Sequence, residues 1–469
     1  MYFNSIGFFL FFIAVYVAYR LVSSWTKAQN LVLVLASYVF YAAWDWRFLF
    51  LIVGSTLGDY WLGLCMVRRP TYKKRFLLAS LAMNLGVLFM FKYFGFFVQN
   101  FVALMQQVGL GPTIPAWEVI LPLGISFFTF QKMTYTIELH RGNVEPTADL
   151  VDFALFVCFF PLLLSGPIER AKTLLPQIRN PRLITSEHGR EGLWLIAWGL
   201  FKKVYVADNL AQIVDPVFAP NWHGTGSEVL IALYAYAGQI YCDFSGYTDI
   251  ARGVAKLLGF DVRLNFNLPY LATNPSDFWR RWHMSLSTWL RDYVYIPLGG
   301  SREGLWKTCR NLFVTMVLVG LWHGAAWTFI VWGAYHGVLL VLHRLASAGK
   351  NPWITDLGFV GRPLGMVGMF HLTCLGWLFF RAQSLGQASD LGSLIVVHFA
   401  PGAAALQLSV TLLGYLSAAI LLMAFHRLVQ SSRVPRSAYV PLGAVVYGLL
   451  FYFTVLHGGV SDSFIYAQF

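Results

Sequence analysis

Leu312-Phe313-Val314-Thr315-Met316-Val317-Leu318-Val319-Gly320-Leu321-Trp322-His323-Gly324 opens a run with no Asp, Glu, Lys or Arg before Arg344. A hydrocarbon core about 30 Å thick takes about 20 such residues as helix, so this stretch belongs in a bilayer. His323 stands thirteen residues beyond Arg310, the last cation before it. At about 1.5 Å per residue it lies roughly 20 Å from that cation, near the middle of the membrane. An ionisable ring is costly there, and such a residue marks a site facing a bundle interior or a water-filled cavity.

The rest of the chain has the same character. Of 469 residues 57% are hydrophobic, 17% aromatic and only 12% charged, more apolar surface than a soluble core absorbs. Apolar stretches begin at Ile6–Val22, Leu31–Ala43, Phe48–Met66, Phe76–Val98, Val119–Phe130, Val151–Leu164 and Leu193–Phe201, and continue at Val229–Ile240, Leu312–Leu342, Leu364–Phe380, Leu408–Phe425 and Val440–Leu456. The expected fold is an all-α polytopic membrane protein of roughly 10–12 transmembrane helices, with re-entrant or interfacial helices where a stretch is too short to span. Ile6–Val22 lacks a basic leader and a small-residue cleavage site, which reads as a retained helix.

Orientation follows from the cations. Arg20/Lys27, Arg68-Arg69 with Lys73-Lys74-Arg75, Arg170–Arg190, Arg252–Arg310, His343-Arg344 and Arg433/Arg436 are expected on the cytoplasmic side. Asp45-Trp46-Arg47 falls between two of these groups as a periplasmic turn. Met1–Ser5 and Gly458–Phe469 carry no Lys or Arg, which puts both termini in the periplasm and makes the number of spans even. A net charge of +12 is met by topology and anionic headgroups, and no groove-reading module points to nucleic acid. No linker, low-complexity tract or internal repeat divides the chain, so 1–469 is expected to form a single domain. Cys65, Cys158, Cys242, Cys309 and Cys374 are isolated and without CxxC spacing, which reads as reduced packing residues and no metal site.

The interruption from about 243 to 310 is polar yet rich in rings: Phe278, Trp279, Trp282, Trp289, Tyr293 and Tyr295. A helix over Asp277–Tyr293, capped by Ser276 or Asp277 and ended by Pro297-Leu298-Gly299-Gly300, would put Phe278, Trp282, Leu286, Trp289 and Tyr293 on one face. Arg280, Ser287 and Arg291 would share another. That is an amphipathic or re-entrant helix at the cytoplasmic boundary.

His323 lies in the small-xxx-small pair Gly320/Gly324, and His336 lies beside Gly333/Gly337 at the same spacing, which admits a close neighbouring backbone. On one helix the two imidazoles are thirteen residues apart, roughly 220° around it, and are not expected to share a site without a kink, which leaves one as catalytic and the other as structural. A neutral buried imidazole suits general-base work, and a histidine hydrogen-bonded to a neighbouring helix explains either position as simply. His283 is the second candidate, to polarise an acyl carbonyl or orient a donor. Arg280, Arg281 and Arg291 suit donor phosphates and Trp279 or Trp289 a base; anionic lipid explains the same arginines. Asp243 and Asp249 are six apart, on different helix faces, and read as a cap or a re-entrant bend. Glu138 and His140-Arg141 mark the end of a span. No GxSxG, Walker A, GxGxxG or HExxH occurs, which removes the common soluble-hydrolase, nucleotide-binding and metalloprotease readings.

Asp277-Phe278-Trp279-Arg280-Arg281-Trp282-His283-Met284-Ser285-Leu286-Ser287-Thr288-Trp289-Leu290-Arg291-Asp292-Tyr293 with Gly320-Leu321-Trp322-His323-Gly324 resembles the bacterial, polysaccharide-modifying branch of the membrane-bound O-acyltransferase superfamily. Leu123-Gly124-Ile125-Ser126-Phe127, Leu164-Ser165-Gly166-Pro167-Ile168, Asp243-Phe244-Ser245-Gly246-Tyr247, Trp377-Leu378-Phe379-Phe380-Arg381-Ala382 and Phe464-Ile465-Tyr466 extend the likeness over nearly the whole chain. The resemblance implies that His323 is the family's catalytic histidine and His283 its second active-site residue. It implies acetyl-CoA as donor, no metal, and transfer through the bacterial inner membrane to a periplasmic SGNH-hydrolase-like partner and a polysaccharide synthesis and export complex. Alginate or a cellulose-type polymer is the implied substrate, with peptidoglycan acetylation or teichoic-acid D-alanylation as alternatives. Ala467, where an aromatic is expected, is a departure that leaves the polymer open. A lipid-linked glycan transporter, with His323 as proton relay, is the competing class; it predicts a repeat symmetry that the sequence lacks.

Overall fold

The computed structural model describes residues 1–111, 120–164, 166–348, 358–429, 436–459 and 465. Ser165, Arg433, Phe464, Tyr466 and Ala467, all used above, lie outside them. The described chain is helical, with no strand among the described residues. Five helices are long and apolar enough to cross a membrane: Thr26–Arg68, Pro70–Gln107, Trp327–Ser347, Val360–Arg381 and Ala403–Leu428. Shorter apolar helices cover Ile6–Leu21, Leu385–Val397 and Pro441–Leu456. The five cysteines are free, and all but Cys65 are buried.

Two compact units make up the chain, one of Met1–Leu193 with Ala251–Arg263, the other of Trp194–Ile250 with Leu264–Phe469. In the first, the helical run Thr26–Arg68 is interrupted at Trp46–Phe48, where the Asp45 carboxylate accepts from Arg47 N–H. Ile125–Arg141 is buried along most of its length and ends, as Glu138 and His140-Arg141 suggested, on Gly142 in the left-handed conformation (φ 76°). Its Lys132 reaches into the unit toward Asp59, 3.9 Å away. Asp59 accepts hydrogen bonds from Ser80 Oγ (2.5 Å) and Asn84 Nδ2 (2.7 Å). An apolar bundle tolerates the carboxylate because a cation and two donors meet it.

The second unit holds the candidate site, and its organising element is a helical hairpin. The apolar run Leu312–Leu342 is not one helix. Leu305–His323 stops at Gly324, whose extended backbone (φ −160°, ψ 150°) breaks the helix, and Trp327–Ala348 runs back along it. The two glycine pairs expected to admit a neighbour admit each other. A Cβ on Gly320 would strike the Phe329 carbonyl and one on Gly333 the Met316 carbonyl, while Gly337 faces Phe313 Cα at 3.2 Å. Backbone-to-backbone packing of this closeness is what small residues supply where no water drives helices together.

A second correction concerns 243–310. The polar motif around Asp243 neither caps nor bends the chain: it lies within the 32-residue helix Gly226–Leu257. Nor is Asp277–Tyr293 one helix. Pro275–Arg281, capped by the Asn274 side chain accepting from Asp277 N–H, is separated from Met284–Leu290 by Trp282-His283, and a π turn follows over Arg291–Tyr295.

Candidate active site

His323 is the last residue of its helix and is 2% exposed. Rings close round it: Trp322 at 5.0 Å, Trp332 at 5.0 Å and Phe380 at 5.2 Å between centroids, each near perpendicular. Trp332 comes from the returning arm of the hairpin and Phe380 from the helix Gly358–Arg381. The helix break therefore does the positioning, because it turns Trp332 back onto the residue nine places earlier.

His283 is fully buried and sits in the left-handed region (φ 41°), where a non-glycine residue is strained. Asn265 holds it there. The Asn265 carbonyl accepts from Met284 N–H (2.9 Å), and its side-chain Oδ1 accepts from Ser285 N–H (3.2 Å) and Ser285 Oγ (2.9 Å). A backbone N–H only donates, so the Asn265 atom facing it is the amide oxygen. The same oxygen lies 3.2 Å from His283 Nδ1. In the neutral ring Nδ1 therefore carries the proton and Nε2 the lone pair. Burial pushes this imidazole down to about 3, which keeps it neutral at physiological pH. A neutral His283 of this tautomer presents an acceptor at Nε2 and cannot polarise a carbonyl there, contrary to one of the two roles expected of it.

The two imidazoles meet through one indole. Trp322 is 5.7 Å from the His283 ring and 5.0 Å from the His323 ring. Phe244 closes the other side of His283 at 4.8 Å. The helix carrying Phe244 is fixed by charge: Lys203 Nζ lies 2.7 Å from both Asp208 and Asp243, and Lys202 Nζ is 2.7 Å from Asp249 and 2.8 Å from Ser245 Oγ. Gly199 and Gly246 let the backbones meet closely enough for these pairs to form. Sequence reading missed Lys202 and Lys203. The available signal is two consecutive cations in an apolar stretch, with Asp208 five residues beyond Lys203.

The residues expected at a donor's phosphates and base lie on successive short helical pieces, Pro275–Arg281, Met284–Leu290 and Arg291–Tyr295, in different surroundings. Arg281 pairs with Asp277 at 2.9 Å and Arg291 with its neighbour Asp292 at 2.8 Å. Arg280 is exposed. Trp289 is 3% exposed and packs on Tyr293 at 5.0 Å, so its face is covered by the chain. Trp279 is half-buried, against Trp332 at 5.9 Å and His336 at 5.2 Å. No group of three His, Cys, Asp or Glu able to hold a metal occurs among the described residues.

The Asn265 clamp gives a clean expectation. Asn265→Leu removes the acceptor of His283 Nδ1–H and of Ser285 N–H together. Turnover is expected to fall about 10²-fold, the usual cost of releasing a positioning shell, while Asn265→Asp, which keeps the acceptor, retains more. Steady-state rates of the two variants side by side check this.

A family model for the membrane-bound O-acyltransferase family matches residues 78–379. The chain is similar to a probable alginate O-acetylase, AlgI, of Pseudomonas putida, 43% identical over 394 residues, covering 83% of this chain and 79% of that protein. It is also similar to a peptidoglycan O-acetyltransferase of Helicobacter pylori, 35% identical over 418 residues, with 82% and 78% covered. A teichoic acid D-alanyltransferase of Bacillus subtilis is 30% identical over 290 residues, 58% of this chain and 71% of that protein. With two buried imidazoles sharing an indole, several apolar membrane-length helices and these likenesses over most of its length, the chain belongs to the membrane-bound O-acyltransferase family.

Proposed function

We propose that this enzyme takes an acetyl group from cytosolic acetyl-CoA and passes it through the bacterial inner membrane for O-acetylation of a polysaccharide, with His323 as general base. The observation that carries the reading is the pair His323 and His283, both packed against Trp322, buried and in one unit. The reacting hydroxyl donates its one hydrogen bond to His323, and the His283 Nε2 lone pair accepts from a second hydroxyl of the acceptor, which aligns it. The reacting oxygen attacks the thioester carbon as His323 takes the proton. The carbon–sulfur bond then breaks, and the CoA thiolate leaves with that proton. By exposure Arg280 and Arg291 are the side chains best placed to meet the donor's phosphates, with Arg281 paired to Asp277, Trp279 half-buried and Trp289 buried.

Alginate is the favoured polymer, because the alginate O-acetylase likeness exceeds the peptidoglycan one at 43% against 35% identity. A periplasmic SGNH-hydrolase-like acetyltransferase and the polymer's synthesis and export complex are the proposed partners. The distribution of cations supports a periplasmic location for both termini. Free CoA released from acetyl-CoA by the purified protein in lipid nanodiscs, with the periplasmic partner and alginate oligomers present, is the expected result. Absence of release, together with movement of a lipid-linked glycan across vesicles, would favour a transporter instead.

A further inference from the structure

Addition to a thioester puts negative charge on the carbonyl oxygen, and donors aimed at that oxygen are commonly the largest single contribution to the rate. His283 does not supply one at Nε2, for the reason given above, and His323 presents its lone pair to the acceptor hydroxyl. The donors must come from elsewhere in the wall.

The second unit holds a group of buried donors with no partner in the protein. Among the described residues, the indole nitrogens of Trp279, Trp282 and Trp332 and both ring nitrogens of His336 make no hydrogen bond. Leaving a polar group buried and unpaired is costly, and the great majority of such groups are satisfied. These four side chains are moreover one cluster. His336 is fully buried, with Phe278 stacked on it at 5.9 Å, Trp279 at 5.2 Å and Trp332 at 4.9 Å. Trp332 in turn lies 5.0 Å from His323, so a single indole joins His336 to the base. Gly376 faces His336 Nε2 so closely that a Cβ there would come within 2.9 Å, and only glycine leaves that nitrogen room.

The chemistry of the cluster selects its ligand. Three indole N–H groups and a neutral imidazole offer more donors than acceptors, carry no formal charge and stand among aromatic rings. A phosphate would require cations, and an ammonium would require acceptors. A small neutral group with an acceptor oxygen meets every requirement, and an acyl carbonyl is such a group.

We propose that Trp332 Nε1–H and a ring N–H of His336 bind the carbonyl oxygen of the acyl donor and stabilise its oxyanion. The inference rests on the acyl-transfer reading. In the addition step the hydroxyl oxygen bonds to the carbonyl carbon, the C=O π pair moves to the oxygen held by these donors, and the proton goes to His323. Collapse returns the pair, breaks the carbon–sulfur bond and delivers the proton to the departing thiolate. His336 thereby acquires a function that the reading of it as a packed histidine does not give.

Trp332→Phe, His336→Phe and His336→Gln, in the full chain in nanodiscs with the periplasmic partner, test the assignment. Phe keeps an aromatic ring in the cluster and removes the donor; Gln restores an N–H to position 336. Removing an oxyanion donor costs about 10²–10³-fold in kcat, so Trp332→Phe and His336→Phe are expected to lose that much with KM for acetyl-CoA little changed. His336→Gln is expected to recover a substantial part. Infrared spectra of bound acetyl-CoA labelled with 13C at the carbonyl give a readout that a packing role would not move. The C=O band lies below its position in water with the wild type and shifts back up with Trp332→Phe. Wild-type rates in both Phe variants, or an unshifted band, would overturn the proposal and leave the acyl-transfer reading standing, provided His323→Gln is inactive. If wild-type protein releases no CoA from acetyl-CoA, both fail.

Discussion

Gly320→Val is expected to unmake the hairpin on which the site is built. The added Cβ would strike the Phe329 carbonyl and crowd Gly333 Cα at 3.1 Å, and neither is a flexible side-chain end that can move aside. Overpacking a fixed core costs about 1–3 kcal/mol, more when backbone is the obstacle, and the arms relieve it only by separating. At about 2 °C per kcal/mol for a unit of this size, melting should drop by roughly 2–6 °C. Separation also pulls Trp332 away from His323, and a displacement of about 1 Å can cost about 10²-fold in rate. Gly414→Ala is the control: nothing lies within 4 Å of its Cβ position, and it stands on an exposed helix face, so melting should hold or rise slightly. Thermal unfolding in detergent, followed by intrinsic fluorescence, separates the two. A melting point for Gly320→Val equal to wild type would mean that the arms do not pack as described.

Much of this molecule is legible in its sequence because membrane constraints are severe. Apolar length marks the spans, His323 and His336 stand out as ionisable rings deep in their run, and Gly142 ends the helix that Glu138 and His140-Arg141 mark. The glycine spacing announces a close neighbour. What the spacing cannot tell is that the neighbour of Gly320 is Gly333. Gly324-Ala325-Ala326 contains no proline and no strong cap, and alanine is the best helix former, so continuous helix was the natural reading. The break at Trp282-His283 was hidden for a related reason. A left-handed histidine has no local signature; it is imposed by Asn265, eighteen residues upstream, through three side-chain contacts. Likewise Asp243 and Asp249 read as polar punctuation until Lys203 and Lys202 are seen to meet them across more than thirty-five residues of chain. In each case the deciding interaction is long-range in sequence and short in space, and local periodicity carries none of it.

The two hidden breaks matter most for function. They place His283 and His323 at helix ends, with their rings turned toward one indole. His336 lies one turn beyond Trp332 on the returning arm and packs on it, so the fold-back that brings Trp332 onto His323 also joins the base to the donor cluster.

The measurement that bears most directly on the central claim is the initial rate of CoA release by wild-type protein and by His323→Gln, prepared and assayed together in nanodiscs. Glutamine keeps a polar side chain of comparable reach and cannot take a proton at neutral pH. General-base catalysis is worth about 10²–10⁴-fold, so a loss near 10³-fold, about 4 kcal/mol in the barrier, is expected with melting unchanged within about 2 °C. Release at the wild-type rate by a folded His323→Gln enzyme would contradict the account, and the base would have to be sought at another residue.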